Sequence, residues 1–139
     1  GARRTREAVR LVLDASVAVE YLLRTPLGRR LAPRVEAAEL LAPELVDAEV
    51  LAVLRRAVRR RLVGEARART ALGDLRDWPM RRLPHGPLLH AAWDLRHNLS
   101  AYDALYAAAA RLHDATVLTA DGPLSRAPRM GIMVENVRV

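Results

Sequence analysis

Apolar positions along the chain follow two rhythms. Arg10–Leu13 is a short apolar run that reads as a buried strand, with Asp14 at its C-terminal end. From Ser16 to Arg24 the spacing changes: Val17 and Tyr21, with Ala18 and Leu22 beside them, recur at helical intervals. Glu20 and Arg24 stand four apart, so Glu20 is expected to find a partner on its own helix. The stretch Thr25–Gly28 reads as a break, followed by a helix over Arg29–Glu39 whose start Pro33 would delay. Leu40–Ala42 is a short strand closed by Pro43. Leu45–Leu62 is a long helix ended by Gly64, and Glu65–Trp78 is its helical partner, ended by Pro79. Met80–Leu83 reads as a strand closed by PHGP. Helices over Leu88–His97 and Ser100–Leu112 precede strands at Thr116–Thr119 and Ile132–Val137. Strands alternating with helices define an α/β class with a parallel sheet, here of about five short strands.

In such sheets, ligands bind beyond the carboxyl ends of the strands. Asp14 sits at such an end, and Asp121 lies two residues past the strand TVLT. Two further acids are placed oddly. On its helix Glu49 has Leu45, Val46, Ala52 and Val53 as neighbours, and Asp103 has Tyr106 and Ala107 ahead of it. None of the four has a local counter-ion. Gathered carboxylates repel and some would protonate, whereas a divalent cation relieves the repulsion. Hard oxygen ligands with retained waters are what Mg²⁺ or Mn²⁺ takes.

Taken singly, each acid has a plainer use. Asp14 could cap the helix that follows it, Glu49 could be a half-exposed helix acid, and Asp121 before Gly122 could belong to an ordinary turn. Asp103 stands three residues after Ser100, a capping-box spacing that is compatible with metal binding. The four histidines show no HxxxH or HExxH spacing and read as surface or packing residues, and Trp78 and Trp93 as fillers of core gaps.

Composition narrows the picture. The chain has 139 residues, enough for one core, and half of them are hydrophobic. Residues 9–139 are read as a single domain and residues 1–8 as a loose basic arm. With no Phe, the core must be mostly Leu, Val and Ala. The absence of cysteine excludes disulfide scaffolds and thiolate metal sites and suits a cytoplasmic protein. No apolar run approaches the roughly 20 residues of a membrane span. The net charge is +7 and every cation is Arg, since the chain contains no Lys. Such a balance suits a polyanionic partner. Arg55, Arg56, Arg59, Arg60 and Arg61 crowd the end of the Glu49 helix, with Arg67 and Arg69 on the next. They could follow the phosphates of a polyanion, or simply complement a helix C-terminus.

Four segments together carry a resemblance. VLDASV, DAEVLAVLRR, SAYDALYAAAA and LTADGPLSRA, in this order and spacing over about Leu11–Val137, resemble a PIN-domain ribonuclease, and within that superfamily the VapC-type toxins of toxin–antitoxin pairs. The resemblance implies a three-layer domain with helices on both sides of the sheet. It aligns Asp14, Glu49, Asp103 and Asp121 with the family's acidic quartet, and Ser16 and Thr119 with the hydroxyl residues that accompany the first and last acids. On that reading Asp14, Asp103 and Asp121 hold Mg²⁺ or Mn²⁺, and Glu49 orients or deprotonates the attacking water. The implied substrate is a structured RNA such as tRNA or rRNA, cut to leave a 5′-phosphate and a 3′-hydroxyl. The implied partners are a second copy of the chain and a small VapB-type antitoxin. Leu31, Val35 and Leu41 either form a groove for such an inhibitor or belong to the core.

Rival readings meet specific residues. A receiver domain and a P-loop kinase need a lysine, which is absent, and a haloacid-dehalogenase-type phosphatase needs an acid where Ser16 stands. A catalytically silent RNA- or partner-binding module on the same fold is the alternative, and it gives no reason for four uncompensated acids.

Overall fold

A computed structural model describes residues 9–120 and 132–138. The basic arm and Asp121 lie outside the described residues. The strands are β1 (Arg10–Leu13), β2 (Glu39–Pro43), β3 (Arg81–Leu83), β4 (Thr116–Thr119) and β5 (Val134–Asn136). All neighbours pair in parallel in the order β3-β2-β1-β4-β5. Helices α1 (Ala15–Leu22) and α2 (Pro26–Ala37) join β1 to β2. Helices α3 (Leu45–Arg59) and α4 (Glu65–Asp77) join β2 to β3. A 3-10 turn at Gly86–Leu88, α5 (Leu89–Asp94) and α6 (Ala101–His113) lead back across the sheet to β4.

Direction of travel sets the layers. The chain steps from β1 through β2 to β3, then reverses to β4. Right-handed crossovers therefore put α1–α4 on one face and α5 and α6 on the other. Accordingly α6 packs on β1, β2 and β4, while α1 packs against α2, α3 and α4. The strand order reverses between β1 and β4, which is where an α/β sheet opens a crevice.

Leu11, Val12, Leu13, Leu41, Val117 and Leu118 are almost wholly buried, as strands covered on both faces must be. In α6, Ala107, Ala108, Ala109 and Ala110 are all buried, so the helix lies close between sheet and α5 on small side chains. Leu31, Val35 and Leu41 are core residues rather than a groove.

Three local expectations need correcting. The stretch Thr25–Gly28 is the start of α2 rather than a break. Thr25 accepts a hydrogen bond from the Gly28 N–H at 3.1 Å, Pro26 opens the first turn, and Pro33 lies inside the helix. Glu20 does not pair with Arg24, because α1 ends at Leu22 and Arg24 adopts a left-handed φ of 54°. Trp93 fills no core gap. It is 64% exposed, with the Arg96 guanidinium 4.4 Å from its ring centroid, whereas Trp78 packs on Tyr21.

Candidate active site

Asp14 extends the β1–β4 ladder by one step, its N–H donating to the Leu118 carbonyl at 3.0 Å. That register sets Thr119 beside it, because Leu13 pairs with Leu118. The Asp14 side chain is 7% exposed, and its Oδ2 accepts from the Thr119 hydroxyl at 2.8 Å and the Ser16 hydroxyl at 2.9 Å. Ser16 Oγ in turn accepts from the Ala120 N–H at 3.0 Å, which pins the end of β4 to the start of α1. Asp14 occupies the cap position of α1, yet its carboxylate makes no capping bond. Its backbone carbonyl takes the Val17 and Ala18 N–H groups instead. Helix capping therefore does not account for the side chain.

Glu49 reaches the same cleft from α3. His85 supports that helix from across the sheet edge, its Nε2 accepting the Leu45 N–H at 3.0 Å. The Glu49 Oε1 accepts the Tyr106 hydroxyl at 2.6 Å. Asp103 enters on the first turn of α6, whose Ser100 cap accepts the Asp103 N–H at 3.2 Å. The capping half of the Ser100–Asp103 spacing is thus real, and Asp103 still faces the cleft.

The cleft measures about 350 Å³, and Asp14, Ser16, Glu49 and Asp103 line it together with Arg56 and Arg138. The structure therefore brings together three of the four acids and both hydroxyl residues named from the sequence. The arginines divide. Arg56, two turns along α3 from Glu49, lies on the acid cleft. Arg55 and Arg59 line a separate groove between α3 and α4 with Leu51, Val58 and Leu72, and Arg60 is exposed at the end of α3.

Two site residues escaped the sequence reading. Arg138 donates to Glu20 Oε1 at 2.7 Å, and Glu20 also accepts from the Thr25 hydroxyl, so the end of the chain places a cation at the cleft. Tyr106 reads as another apolar residue in an alanine-rich helix, although a buried tyrosine hydroxyl calls for a partner.

No three His, Asp or Glu side chains among the described residues form a metal cage by themselves. Mg²⁺ does not require one, since it keeps several waters and binds through one or two carboxylates. Hard carboxylate oxygens converging in one cleft, with Asp14 already deprived of bulk water, suit such an ion.

Comparison with known proteins agrees with the fold. The PIN domain family model matches residues 11–130. The chain is 45% identical over 98 residues to ribonuclease VapC1 of Mycobacterium tuberculosis, covering 70% of this chain and 74% of that protein. It is 40% identical over 115 residues to VapC ribonuclease Mb0985 of Mycobacterium bovis, covering 83% and 88%. Among solved structures, the VapBC2 complex of Rickettsia felis bound to a promoter DNA fragment superposes with a TM-score of 0.66 at 14% identity, over 91% of this chain and 98% of that one. The chain belongs to the PIN-domain family, in its branch of VapC ribonucleases.

Proposed function

We propose that this chain is a single-domain, Mg²⁺- or Mn²⁺-dependent endoribonuclease toxin that hydrolyses phosphodiester bonds of a structured RNA, tRNA or rRNA, at the Asp14 cleft. One observation carries the reading: Asp14, Glu49 and Asp103, from three separate elements, line one cleft rimmed by Arg56 and Arg138. Asp14 and Asp103, with Asp121, would hold the ion. When bound, it offsets the carboxylate charge that would repel a phosphodiester and acidifies water.

The protein's own groups do the rest. Ser16 and Thr119 hold the Asp14 carboxylate in one orientation through their hydroxyls. Glu49 orients the attacking water and takes its proton. Arg56 and Arg138 meet the phosphates at the cleft, and Arg60 adds an exposed cation at the end of α3, while Arg55 and Arg59 face the separate groove between α3 and α4. A second copy of the chain and a VapB-type antitoxin that covers the cleft complete the proposed assembly. The proposed site of action is the cytoplasm; among the described residues no helix is long and apolar enough to cross a membrane.

Mapping fragment ends after incubation with total RNA tests this reading. Discrete fragments with 5′-phosphates and 3′-hydroxyls, formed with Mg²⁺ and abolished by EDTA, are expected. RNA retained intact under both conditions would instead assign the fold a silent binding role.

A further inference from the structure

Glu49 stands on α3 beside Ala52 and Val53, in the lining of the cleft. Tyr106 comes from α6, 57 residues further along the chain, and donates its hydroxyl to Glu49 Oε1 at 2.6 Å. We propose that Tyr106 is the positioning residue of the site, its phenol aiming the Glu49 carboxylate into the cleft. The assignment of a catalytic task to Glu49 rests on the nuclease reading above.

Three features make Tyr106 suited to this. Its side chain is 0% exposed, and Ala104 and Ala107 beside it are also buried, so the ring has no room to swing. It follows Asp103 by one turn on the same helix, so one rigid element sets both the Asp103 carboxylate and the donor to Glu49. The hydroxyl also remains a donor at any working pH. Burial first, then the Glu49 bond and the negative charge of Glu49 and Asp14, raise its pKa far above the ordinary tyrosine value. The Ala15 backbone N–H pulls weakly the other way. That last group belongs to the residue after Asp14. The phenol oxygen thus sits where the Asp14 turn, α3 and α6 meet.

A packing role alone would need only the ring, and the hydroxyl would then be a burden to bury. Tyr106→Phe separates the two, because it keeps the ring and removes the oxygen. In metal-free protein, the ¹³C resonance of the Glu49 carboxyl is expected to move toward that of solvent-exposed glutamates in Tyr106→Phe. An unmoved resonance overturns the proposal whether or not the protein cleaves RNA. In cleavage assays Tyr106→Phe should lower kcat about tenfold to hundredfold with KM little changed, the size expected for losing a hydrogen bond to a charged group. Adding Tyr106→Phe to Glu49→Gln should then slow the enzyme no further. Losses that multiply in the double variant would mean that Tyr106 acts apart from Glu49, and would overturn the assignment. A wild-type protein that cleaves no RNA would sink the nuclease reading, while the Glu49 resonance would still decide the role of Tyr106.

Discussion

At the scale of single residues, Asp14 explains itself by its partners. A capping aspartate would accept helix N–H groups, whereas this one accepts two hydroxyls on Oδ2. The two hydroxyls fix the direction of the buried carboxylate. Thr119→Val removes one donor and keeps the shape, so we expect an RNA cleavage rate about tenfold lower with an unchanged far-UV spectrum. A rate equal to wild type would mean that Ser16 alone orients Asp14. Acids such as Asp14, Glu49 and Asp103 were legible in the sequence because each interrupts an apolar pattern, Glu49 and Asp103 with no basic residue three or four positions away. Tyr106 and Arg138 were not. Their partners lie 57 and 118 residues away, and neither breaks the pattern around it.

At the scale of elements, most strands and helices could be read from periodicity because the alternation of buried strands and amphipathic helices is regular. The start of α2 could not, since Thr-Pro-Leu-Gly serves equally as a turn and as a capped first turn. The structure shows why Gly28 is there: an added Cβ would meet the Glu20 carbonyl oxygen at 1.9 Å, where α2 crosses α1. Gly28→Ala should therefore cost about 1–3 kcal/mol or more in urea unfolding, as an overpacked contact against backbone does. Gly73 gives the opposite case. It lies within α4 and a Cβ there would meet nothing within 4 Å, so Gly73→Ala should add about 0.5–1 kcal/mol. Equal effects from both substitutions would contradict the crossing of α1 and α2. Trp93 shows the limit of composition arguments: an aromatic residue in an α/β chain reads as core, yet the short α5 turns it outward onto Arg96.

At the scale of the molecule, a net charge of +7 carried only by arginine meets a cleft lined by carboxylates. On the proposed reading the two signs divide the work, acids holding the ion and arginines the phosphates. The fold puts Arg56 and Arg138 on the cleft and turns Arg55 and Arg59 toward α4. With RNA binding followed in EDTA, Arg56→Ala should reduce the slope of log K against log salt by about 0.7–0.9, one phosphate contact. Unchanged slope would remove Arg56 from the substrate path. The most direct test of the whole account is cleavage of one RNA preparation by wild-type protein and Asp14→Asn, purified identically and supplied with Mg²⁺ or Mn²⁺. Discrete cleavage by the wild type and none by Asp14→Asn is the predicted result. Equal cleavage by both proteins would contradict the claim that the Asp14 cleft is the site of chemistry.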